Sequence, residues 1–273
     1  MTTESSAGLH MHCVADPDGR ITFELPSPPA ATHPQLLLRL RPKKGEPETT
    51  GHRIALEAAD EGCLRSVLEP LPALEEGRWD AYLLRDPEAE PERLRPGLRD
   101  LRALVDGHVR DRTSPVAVRI PYVTKEGFLA VRAWLRTVHA EAGRIEVGAR
   151  STTVRARLHG ASFAEGAAVR LRVRGSNGRE RSVRPQADAD RRGFAFTVDH
   201  EELAVEAASG NCVWDLFVHP ASGAAPIRLA RLLDDVADRK RSFVYPAASL
   251  GGIVLRPYYT VDNDLSVQAT ASG

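Results

Sequence analysis

Several short runs of the sequence combine side chains that could bind a metal ion or move a proton. His10, His12 and Cys13 lie close together, and on a strand His10 and His12 would share one face. Imidazole and thiolate are common zinc ligands, but no second cluster follows at a spacing that would complete a site. We therefore interpret this segment as an edge strand and predict neither a metal ion nor a cofactor.

A second candidate is the run His200-Glu201-Glu202, whose side chains are capable of acid–base catalysis. Asp199 stands before this run in the position of a helix N-cap, and Glu202 has the position of a capping-box acid. The pattern predicts a capped helical turn over 199–208 and no catalytic residues. An enzyme with a site between two domains, using His200, Glu202 or an Asp-x-Asp pair, is an alternative.

Asp-x-Asp pairs occur at 16–18, 188–190 and 262–264. Such a pair can hold a divalent cation against a diphosphate, because carboxylate oxygens are the ligands that hard cations prefer. Each pair stands in a turn-rich stretch, where Asp and Asn are favoured for their local hydrogen bonds. The turn interpretation is preferred at all three positions.

Charge and composition exclude several classes of function. The 273 residues include 37 Lys and Arg against 37 Asp and Glu, so the chain has no surplus of positive charge with which to attract nucleic acid. The sequence contains no phosphate-binding, dinucleotide, zinc-protease or nucleophile-elbow motif. No apolar stretch approaches the roughly 20 residues of a membrane span, and three scattered cysteines indicate reduced thiols. We expect a cytoplasmic chain that neither binds nucleic acid nor inserts into a membrane.

The elements that must position any site are revealed by an internal repeat. Trp79-Asp80 corresponds to Trp214-Asp215, and blocks upstream and downstream correspond in the same order, at offsets of 133 to 136 residues. Apolar and polar residues alternate within these blocks, as in Ala168–Arg174, which is typical of half-buried strands. The sequence predicts an all-β chain of two tandem antiparallel β-sandwich domains, immunoglobulin-like and related by duplication, with about seven strands each and short helical turns.

The domain boundaries follow from the repeat. We predict a flexible tail at 1–8, a first sandwich at 9–136, a linker at 137–144 and a second sandwich at 145–270. Trp79 and Trp214 are predicted to lie in the two cores. Short helices are predicted at Pro96–Val105 and Leu229–Ala237, where apolar residues recur at helical spacing.

The remaining candidate residues are aromatic and polar, and they lie just before the last strand of each copy. A Tyr ring covers the apolar face of a sugar while neighbouring hydroxyl and carboxylate groups pair with its hydroxyls, but the same residues also form a structural tyrosine corner. The candidate contacts with a partner or glycan are Tyr122, Thr124, Tyr258, Tyr259, Thr260, Asp262, Asn263 and Asp264. The alternating arginines are interpreted as a solvated or ion-paired outer face.

The paired signature of Trp-Asp, Arg-Leu and a Tyr-x-Thr turn resembles the β-sandwich accessory regions of bacterial, especially actinobacterial, glycosyltransferases and teichoic-acid-type glycerophosphotransferases. The turn of that family is often Tyr-x-Thr-x-x-Gly-Asn-Leu, whereas this chain has Phe128 after Gly127 and has Asn263-Asp264 at the second turn. The resemblance implies a non-catalytic accessory role beside an enzyme of cell-surface polymer synthesis and transfers no catalytic residue.

We therefore predict a non-catalytic module that binds a protein, such as a glycosyltransferase or wall-polymer enzyme, or a glycan. The main alternative is a module for homo-oligomerisation or scaffolding, because exposed sheet edges can pair between chains.

Overall fold

The chain folds mainly into β-strands. A computed structural model describes residues 9–26, 28–42, 45, 47, 51–59, 62–107, 110, 114–175, 179–207 and 210–272. Strand makes up 52% of the structure and helix 7%, so the prediction of a mostly β chain is confirmed. The tail predicted at 1–8 lies outside the described residues. Within these ranges, no helix combines the length and the apolar character needed to cross a bilayer.

The chain divides into two compact units, Met1–Gly107 with Ala117–Leu135 and His108–Val116 with Arg136–Gly273. The first eleven strands are β1 His10–Ala15, β2 Ile21–Leu25, β3 Gln35–Leu40, β4 His52–Ala55, β5 Glu57–Ala58, β6 Leu64–Leu68, β7 Gly77–Leu84, β8 Glu92–Arg93, β9 Arg95–Asp100, β10 Val116–Val123 and β11 Leu129–Arg136. A four-residue helix, α1 Arg102–Val105, follows β9.

The remaining strands are β12 His139–Val147, β13 Ser151–His159, β14 Ala168–Val173, β15 Glu180–Val183, β16 Gln186–Ala187, β17 Gly193–Asp199, β18 Cys212–His219, β19 Ile227–Ala230, β20 Ala248–Leu250, β21 Ile253–Tyr259 and β22 Leu265–Ala271. Two helices complete this part of the chain, α2 His200–Ala207 and α3 Arg239–Ser242. The described ranges thus contain more strands than the seven predicted for each copy. The additional strands are short segments whose sequences show no recognisable alternation of apolar and polar residues.

The first unit has a five-stranded sheet in the order β5-β6-β2-β1-β9 and a six-stranded sheet in the order β10-β11-β7-β3-β4, with β8 beside β7. Strand β1 pairs with β2 on one side and with β9 on the other, so the edge strand predicted around His10 is instead internal. The β1–β9 pair is parallel, which corrects the expectation of purely antiparallel sheets. Side-chain alternation shows which face of a strand is buried but not the direction of its neighbour.

The second unit differs in that its strands join into one sheet of eleven. Strand β19 pairs in parallel with β12 and antiparallel with β18, and so connects the two layers that the sequence predicted as separate sheets. The described part of the chain has three sheets, one of which is a curled half-barrel. In this unit the two predicted layers are therefore joined into one sheet through β19.

The same succession of strand pairs occurs in both units. Seven antiparallel pairs of the first unit each have a counterpart in the second. They are β1–β2 with β12–β13, β2–β6 with β13–β17, β3–β4 with β14–β15, β3–β7 with β14–β18, β5–β6 with β16–β17, β7–β8 with β18–β19 and β7–β11 with β18–β22. The register also agrees, because Asp80 lies opposite Arg39 as Asp215 lies opposite Arg172.

Each unit has its own apolar core. Trp79 and Trp214 are buried in the first and second core, which confirms the prediction for both residues. They alternate along β7 and β18 with half-buried polar residues, so these two strands each present one face to a core and the other outward.

Three local predictions are corrected and one is confirmed. Residues 139–147 form β12, with Ala140 and Ala142 buried, so most of the predicted linker at 137–144 is a core strand. Pro96–Val105 is strand β9 as far as Asp100 and helix α1 from Arg102, so the predicted helix is confirmed only over its last turn. Leu229–Ala237 begins in β19 and continues as a loop. Helix α2 confirms the capped turn, because the Asp199 carboxylate accepts a hydrogen bond from the backbone of Glu201 at 2.8 Å.

Candidate functional site: equivalent arginine–aromatic faces

The predicted contact residues fall in two turns of the same construction. At the first turn, the backbone N–H of Thr124 donates to the carbonyl of Phe128 at 2.8 Å, and the Thr124 hydroxyl accepts from the N–H of Phe128 at 3.2 Å. At the second, Thr260 and Asp264 form the same two hydrogen bonds at 2.8 and 3.2 Å. Each threonine thus closes its turn with one backbone and one side-chain hydrogen bond.

The residue before the end of each turn has a left-handed backbone. The φ angles are 81° at Gly127 and 62° at Asn263, a region that glycine and asparagine tolerate better than other residues. Asn263 is also fully buried. Its side-chain amide donates to the carbonyl of Val236 at 3.1 Å, and its side-chain oxygen accepts from the N–H of Arg239 at 3.0 Å. Asn263 therefore stabilises the 231–239 segment. Because its side chain is fully buried, it has no surface that could contact a partner.

The tyrosines separate into buried and accessible groups. Tyr259 is fully buried beside Phe243 and Tyr245, and burial raises the pKa of its hydroxyl. Tyr122 and Tyr258 are half-buried and occupy equivalent positions before the two turns. Of the eight predicted contacts, those with some exposed surface are Tyr122, Tyr258, Thr260, Asp262 and Asp264.

Both accessible tyrosines lie beside an arginine that clamps an aspartate. In the first unit, Arg41 donates two hydrogen bonds to the Asp80 carboxylate, at 2.8 and 2.6 Å, and Arg93 donates a third at 3.1 Å. The hydrogen bonds from Arg41 to Asp80 raise the pKa of Arg41, and nearby Tyr122 adds to this shift. The clamp joins the residue that follows β3 to the middle of β7 and to the last residue of β8.

The second unit repeats the clamp. Arg174 donates to the Asp215 carboxylate at 3.0 and 2.7 Å, and Arg228 donates at 2.7 Å. Burial alone would raise the pKa of Asp215, but the hydrogen bond from Arg174 and the charge of Arg228 outweigh it and leave that pKa below its usual value. The hydrogen bond to Asp215 raises the pKa of Arg174, and nearby Tyr258 adds to this shift.

Next to each clamp, two arginines lie over one aromatic ring. Arg39 and Arg93 lie 5.1 and 5.9 Å from the ring centre of Tyr82. In the second unit, Arg172 and Arg228 lie 5.1 and 5.0 Å from the ring centre of Phe217. Cations above a ring are attracted by its quadrupole, so the ring holds these guanidinium groups in place.

We call these two surfaces the arginine–aromatic faces. The first face consists of Arg39, Arg41, Asp80, Tyr82, Arg93, Arg95, Tyr122 and Phe128, and the second of Arg172, Arg174, Asp215, Phe217, Arg228 and Tyr258. The sequence correctly placed the arginines of β3 and β14 on an outer, ion-paired side. It did not identify Tyr82 and Phe217, although alternation with the core tryptophans puts both rings on that side.

A cleft of about 360 Å³ opens beside the second face. Its lining includes Arg174, Arg179, Glu206, Cys212 and Gln268. Charged and amide groups make up part of this lining, so the cleft offers hydrogen-bonding partners next to Arg174.

The other sequence candidates have structural roles in the described residues. His10 and His12 face away from the core on β1, whereas Cys13 is buried on the opposite side. Burial raises the pKa of the Cys13 thiol to about 12. The three side chains therefore do not converge on a common metal.

The His200 ring is buried and occupied on both sides. One ring nitrogen lies 2.8 Å from the Thr152 hydroxyl and the other 3.4 Å from the carbonyl of Ala149. Glu201 faces Arg150 at 3.6 Å. These contacts place His200 beneath the start of α2, not at a surface where it could meet a substrate.

The Asp-x-Asp pairs lie in turns, as predicted. Asp16 accepts from the N–H of Arg20 at 2.9 Å, and Asp190 accepts from the N–H groups of Arg192 and Gly193 at 2.9 and 3.0 Å. At the third pair, Asp264 lies 3.5 Å from Arg228.

The chain shows only a distant likeness to known proteins. No protein-family model matches it, and no curated protein matches it. The crystal structure of TarS from S. aureus matches with a TM-score of 0.38 and 14% identity, over 62% of this chain and 31% of that one. A structure of TarS residues 217–571 matches with a TM-score of 0.29 and 14% identity, over 76% and 60%. The matches thus span less than two thirds of either TarS chain, and this distant likeness of fold carries no inference about function.

Proposed function

We propose that the chain is a non-catalytic accessory module of two tandem, immunoglobulin-like β-sandwich domains that binds a glycan and supports a cytoplasmic glycosyltransferase or another enzyme of cell-surface polymer synthesis. The observation that carries this proposal is the presence of an arginine–aromatic face at equivalent positions of β7 and β18. The resemblance of the Trp-Asp and Tyr-x-Thr blocks to glycosyltransferase accessory regions supplies the polymer-synthesis context.

The strand pairings support the duplicated domain architecture. In each unit the succession of pairs is the same, and the Trp-Asp strand has the same register against its neighbour. The layer β5-β6-β2-β1 and the layer β4-β3-β7-β8 have the order of the two sheets of an immunoglobulin variable-type domain. Duplication of one domain explains why both clamps and both ring contacts recur.

The side-chain types on the faces suit binding. Arginine and tyrosine are enriched among residues that dominate binding energies, because they offer a large contact area with few conformations to lose. A guanidinium group that lies over a ring still has donors at its edge, and such donors can pair with sugar hydroxyl or acid groups. The cleft beside Arg174 has the size of the smaller ligand sites, which begin at about 300 Å³.

The test is a glycan array followed by calorimetry with the full chain. The variant Tyr82→Ala with Phe217→Ala removes both rings and their contacts with the four arginines that lie over them, so we expect at least about a tenfold loss of affinity. The matched control replaces two exposed apolar residues outside the faces, Leu98→Ala with Val244→Ala, and should bind like the unaltered chain. Melting temperatures of all three proteins check that each is folded.

Two results would overturn the proposal. If the unaltered chain binds no glycan but light scattering shows a stable oligomer, homo-oligomerisation becomes the better function. If glycan binding survives in the double ring variant, the faces are not the binding surface.

A further inference from the structure

The first unit has a cleft whose described lining shares no residue with the arginine–aromatic faces. Strands β4 and β5 follow one another with only Leu56 between them, and among the described strands each stands at the end of its sheet. A cleft of about 670 Å³ opens on this side of the unit, and residues of β4, β5 and β6 line it. Small-molecule sites have volumes of about 300–1,000 Å³, so the cleft has the size of a ligand site.

Ser66 is a buried polar residue in the lining of this cleft. It lies in the middle of β6, on the core side of the strand, and is only 4% exposed. Its hydroxyl has no hydrogen-bond partner in the part of the chain that the structure describes. A buried hydroxyl without a partner is unfavourable, because it has lost its hydrogen bonds with water. Since Ser66 lines the cleft, a ligand bound there can supply the missing partner.

The second unit has aromatic rings where the first has Ser66. Strand β17, the counterpart of β6 in the repeat, directs Phe194, Phe196 and Val198 into its core. The central inward residue is thus Phe196 in β17 and Ser66 in β6. The smaller serine side chain leaves room beside β6 that a ring occupies in the second unit.

The rest of the lining combines hydrocarbon surface with charged groups. Ile54 and Ala58 contribute apolar side chains from the two end strands. Glu57 and Arg65 are cross-strand neighbours in the β5–β6 pair, and Arg65 also lies 2.8 Å from Glu24. Two carboxylates and one guanidinium group therefore stand side by side, so the lining offers both donors and acceptors without attracting an anion.

We infer that this cleft binds one uncharged pyranose residue of a glycan. The hydroxyls of such a ring can donate to Glu57, accept from Arg65 and pair with Ser66. Its C–H groups can contact the hydrocarbon surface of Ile54 and Ala58. A purely apolar ring would leave the Ser66 hydroxyl without a partner and fits less well. The inference goes beyond the proposed function, because it concerns a site outside the arginine–aromatic faces.

The experiment follows the backbone amide signals of Ser66 and Val67 by NMR while methyl glycosides of glucose, galactose and N-acetylglucosamine are added to the full chain. We expect saturable shifts of both signals with at least one of these probes. Ala58→Trp places a bulky ring at an exposed position of the lining, so the affinity should fall at least about tenfold. The matched control Ala187→Trp changes the exposed second residue of β16, the counterpart of β5, and should bind like the unaltered chain.

A smaller change tests the hydroxyl itself. Ser66→Ala keeps the cleft but removes the hydrogen bond to the sugar, so the affinity should fall at least about threefold. The control Ser249→Ala removes an exposed hydroxyl from a strand of the second unit and should leave the affinity unchanged. Melting temperatures of all variants check that each is folded, and Ser66→Ala still decides the question if Ala58→Trp does not fold.

Several results would overturn the inference. They are the absence of shifts at Ser66 and Val67 with every glycoside, an unchanged affinity in folded Ala58→Trp or in Ser66→Ala, and tighter binding of benzyl alcohol or methyl glucuronoside than of the neutral glycosides. None of these results touches the proposed function, which depends on the double ring variant Tyr82→Ala with Phe217→Ala. Conversely, glycoside binding that survives in the double ring variant but is lost in Ala58→Trp would support the cleft as a sugar site while the arginine–aromatic faces fail.

Discussion

At the scale of single residues, the same amino-acid types are buried in one place and accessible in another. Asn263 and Tyr259 are polar residues in a promising motif, yet both are fully buried and held by neighbouring groups. Tyr82 and Phe217 stand outside that motif, yet they organise the accessible arginines. Burial, more than residue type, therefore decides which of these side chains a ligand could reach.

The structural role of Asn263 can be tested with two substitutions. Asn263→Gly keeps the left-handed backbone accessible but loses the side-chain hydrogen bonds, and we expect a loss of about 2 kcal/mol in the free energy of unfolding. Asn263→Ala also strains the backbone, so its loss should be larger, about 3 kcal/mol.

Urea unfolding of both variants makes the measurement, with the exposed neighbour changed in Asp262→Ala as the control. A control effect within about 0.5 kcal/mol is expected. Equal and small effects at positions 262 and 263 would contradict the structural role of Asn263.

At the scale of elements, hydrogen bonds from distant strands decide the conformation of segments whose sequence patterns favour a helix. Leu232 and Leu233 follow a helical spacing, but their N–H groups donate to the buried Glu141 carboxylate at 2.8 and 3.1 Å. His139 lies 2.7 Å from the same carboxylate. Strand β12 therefore holds the 231–238 segment as a loop.

Replacing the acceptor should release that loop. In Glu141→Gln the side-chain NH2 group faces N–H donors, so we expect a loss of about 3 kcal/mol in stability and faster hydrogen exchange at Leu232 and Leu233. Glu146→Gln, on the same strand with a side chain that is 53% exposed, is the control and should leave exchange at the loop unchanged. Unchanged exchange at both leucines in Glu141→Gln would show that other contacts hold the loop.

At the scale of the whole molecule, two units repeat one succession of strand pairs but not one sheet arrangement. In the second unit, β12 is both the first strand and the partner of β13 and β19. It supplies Ala140 and Ala142 to the core. A domain start at 145 would therefore remove a central strand.

Two fragments test this boundary. A fragment from Arg136 to the end of the chain retains all of β12, and we expect it to melt cooperatively. A fragment from Ile145 loses the buried alanines and leaves β13 without most of one neighbour, so it should show no cooperative transition. Circular dichroism during heating makes the comparison, and equal melting of the two fragments would favour the shorter domain.

The sequence by itself determined features that depend on local periodicity. Alternation along β7, β14 and β18 predicted strands, and the same alternation placed Trp79 and Trp214 in the cores. The capped helix after Asp199 was equally predictable, because a cap depends on neighbours a few residues away.

Only the tertiary structure decided which outward residues meet and which are covered. Asp80 pairs with Arg41, 39 residues away in the sequence, and with Arg93, 13 residues away. The periodicity of the sequence does not predict such partners. The parallel pairs of β9 and β19, and the conversion of a predicted linker into β12, likewise depend on strands far away along the chain. The physical reason is that a periodic pattern specifies the buried face of an element, whereas hydrogen-bond partners and burial are set by the elements packed against it.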